Sequence, residues 1–583
     1  MLLEDYASVM APAATGVPGV EISIGAGCRV VAKETQGDLQ ITTIETNGAI
    51  VRVSLEVPLG DVEGYWYPNA TMRALPADWS GRDKTSIISS SPLGCLYDRH
   101  GRNILAFCFD QQIEESQLRF GVSEEHKSFV VYYEHDPKGE RRIRLATVRS
   151  GLEHVEAIGL MRDWLRDDIG EPLAVPFDGT VPVYCTWYAY SQDISAEKIE
   201  RDAVLVRELG CRAVIIDDGW QKLGNGRWYA GCGDWVADPV KFPDMRAHVG
   251  KLHELGLSVI LWVAPLLLGE NSDVFARLKP FAPYYNGDGW RCSALDPRYR
   301  EVRDHFVETC IRLVRDYGVD GLKLDFLDGV VAYQGTATGG DIPDVGQAIH
   351  ATLVQLREGL KDAGLDEVLI EFRQAYIGPA TAPYANLLRV GDCPVDANQN
   401  RRATVNMRMI AAGQVIHSDP TVWDHRAGAE PAARQLLNAY FSVPQISMDI
   451  TSLPQVQRDA VHTVLSTWME DRETVLFGQL QAGLPTEGYP VLQARHEDRL
   501  VVGVYQPLVV DIDLDGIDEL RLLNATSHDR IVVRWTGRRA RLRGVAHSAR
   551  GDAGTEIEVV ATQGLTELQI PVSGIATLQV LNE

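Results

Sequence analysis

Through the first 175 residues, apolar and polar positions alternate. The stretch EISIGAGCRVVAKETQGDLQITTIETNGAIVRVSLEV alternates between Gly, Asn and Asp turn signals, and ILAFCFD, SFVVYYEHD and RRIRLATVRS continue the pattern. A period of two turns one face of each strand to a core and the other to water. Short strands of this kind, punctuated by turns, predict a β-sandwich over residues 1–175. At its end GLEHVEAIGLMRDWLRDD takes up a helical period and predicts a linker helix.

From 176 to 480 the pattern changes. Short apolar runs, VPVYCTWY, RAVIIDD, LSVILWVAP, DGLKLDF, EVLIEFR, NLLRVGD and QVIHSDP, follow one another with helix-period segments such as PRYREVRDHFVETCIRLVRDYG between several of them. Strands apolar on both faces, alternating with helices, predict a parallel sheet covered on both sides. The number of repeats and a span of about 300 residues favour a closed (β/α)8 TIM barrel. Residues 481–583 return to β patterning and predict a small C-terminal β-sandwich. The expected class is multidomain α/β, which suits 583 residues, because single cores stop growing at roughly 250–300 residues.

Charge narrows the partners. A formal net charge of −24 argues against nucleic acid or an anionic membrane surface. No stretch approaches the ~20 apolar residues of a membrane span. The N-terminal MLLEDYASVMAPAATGVPGV carries acidic residues where a secretion signal carries Lys or Arg, so none is expected. The nine cysteines are odd in number and form no Cys-x-x-Cys pair, which fits a reduced, cytoplasmic compartment and no structural zinc. The sequence is compatible with a homo-oligomer.

In a barrel of this kind chemistry sits at the C-terminal ends of the strands. The polar and aromatic residues ending the apolar runs are Trp187, Asp217 and Asp218, Trp262, Lys323 and Asp325, Glu371 and Arg373, Arg389 and Asp392, and Asp419. Carboxylates with aromatics suit sugar chemistry, in which one carboxylate attacks or stabilises the anomeric carbon and another handles a proton. Metal-assisted hydrolysis needs clustered histidines, but the 14 histidines are scattered without a His-x-His. His417, alone at a strand end, reads as a hydrogen-bonded structural residue. Neither a Gly-x-Ser-x-Gly elbow nor a P-loop occurs.

Four motifs, VIIDDGWQ (214–221), GDWVADPVKFP (233–243), ILWVAP (260–265) and DGLKLDFL (320–327), resemble glycoside hydrolase family 36 in order and spacing. That family includes α-galactosidases and the plant raffinose synthases. The resemblance implies a retaining exo-α-glycosidase, most simply an α-galactosidase acting on an oligosaccharide or glycoside, with no metal or organic cofactor. It implies Asp325 as nucleophile and Asp392 as acid/base, the latter with a raised pKa in the resting enzyme. Asp217 and Asp218 resemble the pair that holds two sugar hydroxyls. Lys323 and Arg389 resemble sugar-contacting cations, and Trp187 and Trp262 resemble pocket walls. A tryptophan of the N-terminal domain is expected to lean into the pocket, with Trp66 the candidate and Trp79 behind it. Cys232 and Asp234 are candidate lining residues, and Glu371 and Arg373 either contact sugar or pair with each other.

Two departures bear on specificity. The fifth strand reads LIEFRQAY in place of a Cys-Ser-Gly-Gly-rich segment near carbon 2, and Trp-Val-Ala-Pro replaces Trp-x-Glu-Pro at the third. The Gln after Asp-Asp-Gly-Trp leans towards the raffinose-synthase side. The alternatives are therefore an α-galactosyl transferase, a retaining enzyme for an α-N-acetylgalactosaminide, β-L-arabinopyranoside or α-glucoside, and a non-catalytic carbohydrate-binding protein.

Overall fold

A computed structural model of the chain describes residues 10–13, 20–70, 74–148, 151–552, 554–562 and 564–582. Most of the N-terminal stretch read for a secretion signal lies outside them.

The alternating segments near the N-terminus form two antiparallel six-stranded sheets. Val51–Pro58 shows why: its odd positions are buried and its even ones half-exposed or exposed, as one-sided burial of a pleated strand requires. Phe107, Phe120, Phe129 and Tyr65 fill the space between the sheets. The linker helix spans His154–Arg166 and buries Ala157, Ile158, Met161, Trp164 and Leu165. It packs against the sandwich strands Leu93–Asp98 and Asn103–Phe109 on one side and the barrel helix Ala397–Ile410 on the other.

The barrel strands are β1 (Val183–Cys185), β2 (Ala213–Ile216), β3 (Ser258–Val263), β4 (Gly321–Leu324), β5 (Leu369–Arg373), β6 (Leu387–Arg389), β7 (Val415–His417) and β8 (Gln445–Ile446). They pair in parallel in chain order, and β8 pairs with β1. Single bridges from His417 to Val443 and from Thr421 to Ile446 join β7 to β8 and complete the ring. The residues of β1, β2, β4, β6, β7 and β8 are all buried, which accounts for their unbroken apolar runs. Side-chain oxygens of Ser195, Asp244, Asp344 and Asp396 accept from backbone N–H groups in the first turn of four barrel helices, satisfying donors that a helix cannot pair internally.

The C-terminal strands begin at Gln479 and form a seven-stranded and a three-stranded sheet around a separate apolar core that includes Leu520, Leu522, Val533 and Trp535. All nine cysteines are free. No described helix is long and apolar enough to cross a membrane.

Candidate active site

The loops after the barrel strands enclose a pocket of about 400 Å³ including its open mouth, at the small end of the roughly 300–1,000 Å³ usual for ligand clefts. Its lining includes Trp187, Asp217, Asp218, Trp262, Lys323, Asp325, Arg389 and Asp392. These eight residues come from β3, β4 and β6 and the segments after β1, β2, β4 and β6, and closure of the barrel brings them together.

Asp325 follows β4 directly. Its Oδ1 accepts from the Phe326 backbone N–H at 2.8 Å and from Arg373 Nε. Its Oδ2 accepts from the Trp262 indole at 2.9 Å. Burial alone would push this carboxyl up. The charges of Arg373, Lys323 and Arg389, with the indole bond, outweigh it and hold Asp325 down at about 2.

Asp217 and Asp218 both reach the pocket because the chain turns at Gly219, where φ is +118°. A Cβ there would lie 2.6 Å from Gln192 Cα, so only glycine fits. Asp217 accepts from Lys323 Nζ at 2.6 Å and from the Asp218 N–H at 2.9 Å. Lys323 is thus tied to Asp217, and its effect on Asp325 is exerted through space. Asp218 accepts from Gln221 at 2.6 Å and Gln192 at 2.7 Å. Burial pushes Asp218 up against those two bonds, and the negative charges of Asp217 and Asp325 add to the push, bringing it to about 7.

At the opposite corner Arg389 Nη1 bridges two carboxylates, Asp419 at 2.6 Å and Asp392 at 3.0 Å. The Asp392 side chain is 62% exposed. Asp419 is fully buried and also accepts from the Cys393 N–H at 2.8 Å and from Tyr188. Burial raises Asp419 to about 6, although Arg389 and the Cys393 N–H favour its charged form.

Several expected site residues lie elsewhere. Trp66 is 1% exposed and donates to Asn406 Oδ1 at 2.9 Å, which fixes it between the N-terminal domain and a barrel helix, off the pocket. Trp79 points to solvent. The Cys232 side chain is buried and does not line the pocket. Asp234 accepts from the Asp273 and Val274 N–H groups at 2.8 and 3.0 Å and so caps a turn. Glu371 lies deep in the barrel, where it pairs with His417 Nδ1 at 2.8 Å and accepts from Gln445. His417 Nε2 also meets the Gly179 carbonyl at 3.0 Å. Glu371 and Arg373 therefore do not pair: Arg373 grips Asp325 and Asp328 from beside the pocket.

The pocket also takes in Cys185, Tyr188, Tyr229, Phe326, Asp419 and Pro420. Asp419 was visible as a strand-end carboxylate, whereas Tyr188 and Tyr229 lie on irregular or short helical segments without a periodic signal. Among the described residues no group of three His, Cys, Asp or Glu is arranged to hold a metal ion.

Residues 176–363 match the family model for Melibiase. Among characterised proteins, the chain is 29% identical over 158 residues to α-galactosidase 2 of Pediococcus pentosaceus, which is 26% of this chain and 22% of that protein. It is 28% identical over 146 residues to α-galactosidase AgaA of Geobacillus stearothermophilus, or 24% of this chain and 20% of that one. The aligned stretch thus spans about a fifth of the length of these relatives. A crystal structure of the Geobacillus AgaA in complex with 1-deoxygalactonojirimycin superposes with a TM-score of 0.64, covering 98% of this chain and 83% of that one at 14% identity, a likeness of fold. Residues 176–363 thus resemble the Melibiase family, and the three-domain fold is shared with a solved glycoside hydrolase family 36 α-galactosidase.

Proposed function

We propose that this protein is a retaining exo-α-glycosidase that hydrolyses terminal α-galactosides. The observation that carries the reading is Asp325: a buried carboxylate held ionised at the floor of a one-sugar pocket, with Asp392 at the open rim. Asp325 attacks the anomeric carbon as the glycosidic C–O bond breaks, and Asp392 gives its proton to the leaving oxygen. The resulting glycosyl ester is opened by water, whose proton returns to Asp392. Two inversions retain configuration.

The hydrogen bonds divide the labour between the nucleophile's oxygens. Oδ1 is gripped by a guanidinium and a backbone N–H, whereas Oδ2 accepts one neutral indole bond. Oδ2 is the attacking atom, and Oδ1 becomes the ester carbonyl. Asp217 and Asp218 accept from sugar hydroxyls, and Lys323 and Arg389 donate to them. Asp392 has one oxygen bonded to Arg389, which leaves the other for the leaving group, while Asp419 holds Arg389 and Tyr188 in place.

The test is hydrolysis of p-nitrophenyl α-D-galactopyranoside followed by proton NMR. First release of α-galactose, with the β-anomer appearing only by mutarotation, is the expected result. β-Galactose released first refutes retention, and a silent enzyme refutes the galactoside.

A further inference from the structure

Two of the three most exposed tryptophans among the described residues lie on loops whose neighbouring residues line this pocket. Trp228 is 42% and Trp290 40% exposed. Tryptophan is highly buried on average, so large indole faces left in water at one place point to something that covers them.

Their setting is built rather than incidental. Trp228 lies on the loop after β2 and Trp290 on the loop after β3, and the Tyr229 N–H donates to the Trp290 carbonyl at 2.9 Å, joining the two loops. The Trp290 ring packs against Tyr229 and Phe326, at 5.2 and 5.3 Å between centroids. Both of those rings line the pocket, and Tyr229 in turn stacks on Trp262, the tryptophan that holds the nucleophile. An aromatic surface therefore runs without a break from the catalytic carboxylate to the exposed rim. The Trp228 ring lies over Gly226, where a Cβ would come within 2.7 Å of it, and the Arg291 guanidinium stacks on it at 5.3 Å. Arg227 sits in the same way 5.6 Å over Trp187. Two of these indoles, Trp187 and Trp228, thus each carry a guanidinium.

This pairing of surfaces matches a pyranose. The C–H-rich face of a sugar ring is weakly positive and packs on the negative face of an indole, and its hydroxyls take up the guanidinium donors at the edge. With the terminal galactose in the pocket, a ring on this rim is the next one along the glycosidic bond. We infer that Trp228 and Trp290 form the aromatic platform of the leaving-group subsite, on which the second ring of the substrate stacks. This rests on the glycosidase reading above.

The experiment compares wild type with Trp228→Ala and Trp290→Ala on two substrates. α-Galactosyl fluoride has a leaving group too small to reach the rim, whereas raffinose presents a disaccharide to it. The alanine variants are expected to lose roughly tenfold in kcat/KM on raffinose, mainly through KM, with the fluoride rate within about twofold of wild type. Trp290→Phe, which keeps a ring, should recover most of the raffinose activity, and the unchanged fluoride rate reports that the fold is intact. Equal losses on both substrates, or none on raffinose, overturn the subsite. A wild type that cleaves neither substrate sinks the glycosidase reading itself, an outcome the variants cannot mimic.

Discussion

Asn in place of Asp218 removes a charge that the fold keeps against its own stability. Burial raises this carboxyl from an ordinary 3.8 to about 7. That difference corresponds to on the order of 4 kcal/mol of unfavourable ionisation. The sign is that of a raised acid: stability is full below the ordinary carboxylate range and is lost as pH climbs towards 7. The proposed sugar-binding role nonetheless calls for the ionised form, which accepts hydrogen bonds as it already does from Gln192 and Gln221. In the free enzyme the ionised fraction falls roughly tenfold per pH unit below 7, so kcat/KM should show an acid limb there. In kcat the limb should move to lower pH, since bound hydroxyls stabilise the charge. A hydrogen bond to a charged group contributes about 1.5–3 kcal/mol, so Asp218→Asn should sit roughly ten- to a hundredfold below wild type on the alkaline plateau. It should also lack the limb, so the two curves converge as pH falls. The assay is the pH profile of kcat/KM and kcat on p-nitrophenyl α-D-galactopyranoside for both proteins. A variant at the wild-type plateau refutes the reasoning. So does a variant that keeps the limb, which would assign it to Asp419, held up at about 6.

Two further outcomes follow from the partners of Asp325 and Glu371. Arg373→Met removes the cation gripping Asp325 Oδ1, so the nucleophile should move back towards the ordinary carboxylate range; trapping of the glycosyl-enzyme by a fluorinated galactosyl fluoride, which needs no proton donor, should be near wild type at neutral pH and fall progressively behind it in acid, whereas a constant ratio across pH contradicts this role. His417→Ala leaves Glu371 charged and short of a partner in the barrel interior, which should destabilise the fold by about 3–5 kcal/mol, read as a lowered thermal midpoint; an unchanged midpoint counts against a structural role for the pair.

Seven barrel strands are legible in the sequence because burial on both faces makes each a continuous apolar run. The eighth is not: Gln445–Ile446 is two residues long and half polar. The strand-end rule brought Asp217, Asp218, Asp325, Lys323, Arg389 and Asp392 to one pocket, since parallel strands place those positions in one layer. It fails at Glu371, because residues two apart on a strand face the same way yet differ by about 6.6 Å in depth. Arg373 reaches the level of Asp325 beside the pocket, and Glu371 stays in the interior with His417. Trp66 fails for another reason: its partner Asn406 is 340 positions away, and no local pattern announces that contact. The Trp228–Trp290 rim is invisible for the same cause, because it is assembled from two loops without periodicity.

The central claim is that Asp325 forms a covalent bond to the sugar while Asp392 moves the proton. The most direct measurement adds azide to Asp325→Ala and Asp392→Ala with p-nitrophenyl α-D-galactopyranoside and identifies the azide product by NMR. With Asp325 gone, azide should enter from the vacated face and give β-galactosyl azide; with Asp392 gone, it should open the glycosyl-enzyme and give the α-azide. Hydrolysis by Asp325→Ala at the wild-type rate, or an α-azide from that variant, would contradict the account.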